Sequence, residues 1–561
     1  MLRSLSATLL LFQWLSLVAH AQPQSSPYAQ EGMVVSAHPI ASEVGIAVLK
    51  AGGNAFDAGI SVEFALAVVF PIAGNIGGGG FALLHTADGT VKSLDYREQA
   101  PASITAEHYV DKTGQALSKN SLEGPLAAGI PGTVAGMYEL HQRHGTLPWG
   151  SLVQPAIDLA RHGWVLTQQE AQQLQKYQAD LQRLNPTNCY LCAEHAFEPG
   201  DTLYNEALAL TLERIRDAGA AGFYQGPSAA HLVAFMEAKG GLITASDLQN
   251  YQAIWRTPLQ ADYKDYQIFS MGPPSSGGVV LLQILSMLKP LPLSKWGINS
   301  TEYLHQVAEA ARRAYADRAQ HLGDPAFVRI PLAGLLDSSY LGERASSITP
   351  HKASNSKEIS AGMPAPPESD ETTHYIVADA KGNVITATTS LNGAYGSKSI
   401  ASGLGFLLNN TIDDFSLAPG LPNSYGLVGS DANAIAPGKR MLSSMAPTLV
   451  LQAGKPVLAI GSPGGATIPT TVLQVLLNQI EFGLSAQAAV DFPRFHHQWL
   501  PDHIRFESGR IDKKTQRQLQ QRGHILKESA PYGRAETIRF HPNGTLEGGA
   551  DGRGDDAVRS Y

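Results

Sequence analysis

Several short stretches of the 561-residue chain carry residue types suited to covalent or anion chemistry. In "SPGGATIPTT", Gly464 and Gly465 stand between an apolar strand and a helix, where exposed backbone N–H groups can hold a negative charge. An ordinary strand-to-helix turn would read the same way. In "RMLSSMAPT", Ser443 and Ser444 head a strand, and paired hydroxyls either bind a carboxylate or cap the backbone. In "ETTHYIVADAKGNVITATTSLN", two threonines and a histidine occupy the seam between a Pro/Ser/Glu-rich loop and a strand–turn–strand pattern.

Other chemistries are poorly served. A serine hydrolase elbow needs G-x-S-x-G, and in the nearest match, "IGSPGG", proline follows the serine and removes an N–H that such a site uses. "RFHHQWLPDH" offers His496, His497 and His503, but adjacent histidines diverge and no H-E-x-x-H occurs, so structural histidines are the expectation and no metal site is assigned. "GNIGGGGF" lacks both the spacing of a dinucleotide fingerprint and the terminal Lys-Ser/Thr of a phosphate loop.

The elements that must position these residues follow from periodicity. "MVVSAHPIASEVGIAVLKAGGNAFDAGISVEFALAVVFP" reads as a strand and two core-facing helices, the second stopping at Pro71. The glycine loop then opens a hairpin ending at Arg97. Helical patterns dominate from about Pro131 to Leu288, and "STEYLHQVAEAARRAYADRAQHLGD" is another amphipathic helix. From His351 to Glu371 periodicity is lost, which predicts an exposed or mobile segment. Beyond it, short strands including "GFLLNN" alternate with turns and one helix, "TIPTTVLQVLLNQIEFG". Strands distributed among helices along the whole length predict sheets covered by helices.

A net charge of −8 without a dense Lys/Arg block excludes a nucleic-acid footprint. The start resembles a signal peptide in layout: Arg3, an apolar run from Leu9 to Val18, and Ala19-His20-Ala21, with cleavage expected after Ala21. That run is well short of the roughly 20 residues a membrane span needs. No membrane span is expected. The two cysteines, Cys189 and Cys192, form a C-x-x-C pair that in an exported protein suits a local disulfide staple.

The segments "AHPIASEVGIAVLKAGGNAFDA", "GNIGGGGF", "LDYREQAP", "GIPGTVAGM", "GPPSSGG", "TTHYIVAD", "LLNNTIDDFS", "PGLPNSYGLVG", "ANAIAPGKRMLSSMAPT", "GSPGG" and "PRFHHQWLPD" together resemble the γ-glutamyltranspeptidases of bacteria, in family order. The resemblance implies a four-layer αββα sandwich of the N-terminal nucleophile type, an α/β (α+β) fold. It also implies self-cleavage between Glu371 and Thr372, so that, behind the leader 1–21, a large chain (22–371) and a small chain (372–561) are folded as one unit. Cleavage makes physical sense. A threonine hydroxyl needs a base, and a new α-amino group, with a pKa near ~7.7–8.0, can serve as one on the same residue.

Carried over position by position, the resemblance makes Thr372 the nucleophile and Ser390, where relatives usually have threonine, its hydrogen-bond partner. Gly464 and Gly465 would supply the oxyanion hole. Arg97, Ser443 and Ser444 would grip the α-carboxylate of a γ-glutamyl group, the planar guanidinium matching it two-pronged. Asn392 and Asp414 would hold its α-ammonium; for Ser390, Asn392 and Asp414, turn formation is the alternative reading. Thr411 replaces the Gln or Glu common in the family and would reach the donor's amino group through water. Tyr425 would close the pocket as part of a lid, Pro419 to Gly429. Gly552, in "DGRGDD", stands where relatives tend to have proline.

The implied activity is cleavage of γ-glutamyl amides such as glutathione, with transfer to water or to amino acids and peptides, in the periplasm or outside the cell. No metal or organic cofactor is required by this chemistry. The alternatives are an acylase of the same fold with another donor, such as a cephalosporin or glutaryl acylase, and a non-catalytic binding protein.

Overall fold

The computed structural model describes residues 27–113, 115–187, 189–193, 195–363, 374–417 and 422–561. The leader, the expected cleavage site at Glu371 and Thr372, and the first part of the lid lie outside them.

The strand His374–Asp379 has a buried side chain on each face. Tyr375 and Val377 pack into an apolar cluster shared with the helices Pro39–Lys50 and Ala55–Val69. Ile376 and Ala378 pack into a different cluster with Leu449, Ala459 and Ile538 of a second sheet. Because side chains alternate with period two, such a strand must be covered on both sides.

The same holds for both sheets. One runs, edge to edge, through Tyr28–Ala29, Leu546–Ala550, Glu536–Phe540, Lys455–Gly461, Thr448–Gln452, Tyr266–Ser270 and Leu259–Tyr263. The other runs through Ala557–Ser560, Gly32–Ser36, His374–Asp379, Val384–Ser390, Gly79–His85, Val91–Tyr96 and Ile254–Arg256. All neighbours within them are antiparallel. Helices Gly277–Leu288, Thr301–His321 and Ile468–Ile480 cover the outer face of the first sheet through a cluster that includes Ile268, Val450 and Ile460. Helix, sheet, sheet, helix is the four-layer αββα arrangement expected.

Local chemistry sets the helix bounds. Asn54 accepts from the amides of Phe56 and Asp57, both at 2.9 Å, while Asp57 accepts from the Asn54 amide at 3.0 Å. This reciprocal cap starts Ala55–Val69, whose residues are all buried, and the helix ends two residues before Pro71. The hairpin strand stops at Tyr96, one residue before Arg97.

One expectation changes. "GFLLNN" forms only an isolated bridge, Ile400 with Leu407, because its amides turn to loops: Leu408 N to Ser399 O and Asn409 N to Gly77 O. The segment expected to be exposed or mobile is exposed over much of its described length, 351–363, but its backbone is held in place. Ser356 is fully buried, and the amides of Ser354, Ser356 and Gly362 donate to Glu309 (3.1 Å), Asp502 (2.7 Å) and Asp317 (2.9 Å). Two carboxylates on the helix Thr301–His321, and Asp502 from a later loop, replace the ladder that the segment lacks. Cys189 and Cys192 are joined in a disulfide.

Candidate active site

Ser390 ends the strand Val384–Ser390, pairing with Gly79. The glycine run beside it exists for close approach: a Cβ on Gly78 would run into the Ser390 carbonyl oxygen. Asn75 fixes that run, its Oδ1 accepting from Gly78 N at 2.7 Å and from Thr133 Oγ1 at 3.0 Å. Ser390 Oγ accepts from the Asn392 amide at 2.7 Å, and Asn392 takes φ 73°, a left-handed turn that asparagine tolerates. The Asn392 side-chain amide donates to Asn410 O at 3.0 Å, leaving its Oδ1 buried without a partner among the described residues.

Arg97 follows the strand Val91–Tyr96 and is completely buried. Its Nη2 donates to Asp414 Oδ2 at 2.6 Å and its Nη1 to Glu98 Oε2 at 3.2 Å. Its Nε donates to Met441 O at 3.4 Å, which ties it to the segment carrying Ser443 and Ser444. Both serine hydroxyls are fully buried with no partner among the described residues. Unpartnered buried hydroxyls cost free energy unless a ligand completes them. Asp414 closes the short 3-10 turn Thr411–Asp414, and Asn433 steadies it by donating to Asp414 O at 2.7 Å. A buried cation and anion side by side, with spare hydroxyls on the adjoining segment, suit a ligand that carries both charges.

Thr411 is fully buried and its hydroxyl donates to Asn409 Oδ1 at 2.7 Å. Asn409 in turn grips Gly77 O and Gly129 O, both at 2.8 Å, so Thr411 braces the loop under the glycine run.

Gly464 and Gly465 link the strand Lys455–Gly461 to the helix Ile468–Ile480, with φ of 136° and 55°. Consecutive positive φ values are a backbone path that favours glycine. Tyr425 lies against this turn, 2.6 Å from where a Cβ on Gly465 would be, and its hydroxyl donates to Asn392 O at 2.8 Å. Tyr425 thus bridges Gly465 and Asn392. Asp413 anchors the lid from below, accepting from Ser424 N at 3.1 Å and Ser424 Oγ at 2.5 Å.

The histidines are structural in their contacts. His496 meets Thr470 Oγ1 (2.7 Å) and Gln498 Oε1 (2.8 Å), and burial lowers it to about 3. Burial lowers His497 to about 4, against the Asp502 carboxylate. His374 sits between the hydroxyls of Thr388 and Thr386, each at 3.0 Å, and burial lowers it to about 3, so it is neutral at physiological pH. Among the described residues no three His, Cys, Asp or Glu side chains group as a metal site.

Arg97 pairs directly with Asp414 and meets the segment that carries Ser443 and Ser444 at Met441 O, while Ser390, Asn392, Tyr425 and Gly465 form a second set of contacts; Thr372 lies outside the described residues. Sequence reasoning missed four supporting acids and amides. Glu98 flanks Arg97, and burial raises its pKa. Asp95 accepts from the Arg97 amide at 2.9 Å and from the side chains of Arg256 and Arg440. Asp413 holds the lid and Asn409 the loops. Their signal was charged and amide residues inside the otherwise apolar stretches "LDYRE" and "LLNNTIDDF".

Similarities to known proteins identify the family. Residues 41–561 match the family Gamma-glutamyltranspeptidase. The "Glutathione hydrolase proenzyme" of Escherichia coli strain K12 is 44% identical over 536 residues, spanning 95% of this chain and 92% of that protein. The crystal structure of cephalosporin acylase from Bacillus halodurans superposes with a TM-score of 0.86 at 27% identity, over 98% of this chain and 99% of that one. The crystal structure of Helicobacter pylori γ-glutamyltranspeptidase is 42% identical with a TM-score of 0.57, over 58% of this chain and 95% of that one. The chain belongs to the γ-glutamyltranspeptidase family.

Proposed function

We propose that the protein is a self-processing γ-glutamyltransferase and glutathione hydrolase, exported to the periplasm or beyond, with Thr372 as its nucleophile. The observation that carries the donor assignment is the buried Arg97–Asp414 pair beside the unpartnered Ser443 and Ser444 hydroxyls. A γ-glutamyl group ends in an α-carboxylate and an α-ammonium, which such a pair complements.

In this reading the bond between Glu371 and Thr372 is cut, and the new amine of Thr372 takes the proton from its own hydroxyl. The oxygen attacks the γ-carbonyl, and the oxyanion is held by the amides of Gly464 and Gly465. The amine then protonates the departing nitrogen as the amide C–N bond breaks, leaving a γ-glutamyl ester on Thr372. Water, or the amine of an amino acid or peptide, attacks that ester and restores the threonine. Tyr425 closes over the turn and limits water during the first step. The pieces 22–371 and 372–561 stay together because each supplies strands to both sheets. No described helix is long and apolar enough to cross a membrane.

A second reading, an acylase for donors without the α-amino group, is favoured by the likeness to cephalosporin acylase and by Thr411, whose hydroxyl is engaged with Asn409. Intact-mass measurement of the mature protein and of Thr372→Ala, followed by turnover of γ-glutamyl and glutaryl p-nitroanilides, tests both. Two fragments divided at Glu371/Thr372 in the wild type only, with preference for the γ-glutamyl donor, is the expected result. An uncut wild-type chain overturns the nucleophile assignment, and a glutaryl preference overturns the donor.

A further inference from the structure

Tyr425 also lines a cavity of about 410 Å³, together with His496, His503, Arg505, Lys527 and Ser529 among others, with no acidic side chain among its described lining residues. A three-stranded sheet builds its cationic side. Ile504 and Phe506 point into the core, so Arg505 faces the other way. Arg505 and Lys527 are direct partners across the parallel pair Ile504–Glu507 and Leu526–Ser529. Like charges placed directly opposite are destabilising. Here the arrangement is braced: Arg505 Nε donates to Ser529 Oγ at 3.1 Å, and its guanidinium stacks 4.1 Å from the Tyr532 ring centroid. That bracing leaves the outer guanidinium nitrogens without a protein acceptor among the described residues. Asp502, three residues before Arg505 in the chain, is committed to Ser356 N (2.7 Å), Arg312 and His497.

We propose that this cavity is a carboxylate subsite, which takes the free carboxylate of a peptide whose amine attacks, or leaves, the acyl-enzyme. Arg505 supplies the two-pronged contact and Lys527 a second charge. Tyr425 lines this cavity and also touches the Gly465 turn, so a bound peptide would run from the cations past the lid edge to the acyl carbon. The inference rests on the γ-glutamyl-transfer reading and deepens it by naming the acceptor class: short peptides with a free C-terminal carboxylate.

The test uses the processed protein with γ-glutamyl-p-nitroanilide as donor, and glycylglycine and glycylglycine amide as paired acceptors. The wild type is expected to favour the acid, in transfer kcat/KM, by about tenfold. In Arg505→Met, and separately in exposed Lys527→Met, that ratio is expected to fall towards one. Thermal unfolding of each variant separates loss of the subsite from loss of fold. Equal use of acid and amide by the wild type, or an unchanged ratio in both folded variants, overturns the subsite while hydrolysis of the donor upholds the γ-glutamyl reading. Absence of p-nitroaniline release from the wild type overturns that reading and the subsite with it.

Discussion

Replacing Asp414 by asparagine keeps an oxygen for the Arg97 Nη2 hydrogen bond, 2.6 Å in the native site, but removes the charge that would face the donor's ammonium. Both residues are almost wholly buried, so solvent screens neither. A hydrogen bond to a charged group contributes about 1.5–3 kcal/mol, which corresponds to roughly a 10- to 150-fold loss in kcat/KM for γ-glutamyl-p-nitroanilide. Glu98, 3.2 Å from Arg97, remains as a neighbouring carboxyl, so the variant should fold and process itself. The assay compares γ-glutamyl and glutaryl donors on cleaved enzyme. The loss should be confined to the γ-glutamyl donor, because the glutaryl group has no α-ammonium. An equal loss with both donors would refute the zwitterion assignment and mark Asp414 as a support for Arg97 alone.

Other outcomes follow from the same geometry. Gly465→Ala places a methyl 2.6 Å from Tyr425 at φ 55°; it should displace the lid and the Gly465 amide, cutting kcat by about 100-fold, as single-turnover kinetics would show. Ser443→Ala and Ser444→Ala remove hydroxyls that have no described partner, so the unfolding midpoint should hardly move while donor KM rises about tenfold for each. Glu63, buried against Thr389 and Tyr375, is lifted by burial from 4.5 to about 8. A raised folded pKa gives stability that is full below pH 4.5 and lost as pH climbs to about 8. By pH 7 the loss is about 3 kcal/mol. Glu63→Gln should therefore gain thermal stability over the wild type at pH 8 but not at pH 4.5; parallel curves for the two proteins would contradict this.

Legibility followed the range of the interactions. The reciprocal cap at Asn54 and the stop before Pro71 are local, so the two helices were readable almost to their ends. The pairing of Ala557–Ser560 with Gly32–Ser36 joins residues more than five hundred positions apart, and no local pattern encodes it. The site divides in the same way. Ser443 and Ser444 stood out by residue type, and Arg97 and Asp414 were named through family resemblance, but the direct pairing of Arg97 with Asp414, and the support from Asp95, Glu98 and Asn409, depends on loops that converge only in the fold. The exposure of the segment before the seam was legible in its composition, but the tethering of its Ser354 and Gly362 amides to carboxylates on a helix 45 residues earlier was not.

The interleaving of early and late strands within both sheets has a thermodynamic consequence. If the chain is cut at the seam, the two products share their backbone ladders and central core, so separating them amounts to unfolding both. A dissociation constant for such a pair has no independent meaning, and dilution should leave activity unchanged. Two halves made separately would have to complete each other during folding, since neither holds an intact sheet against which the other could dock.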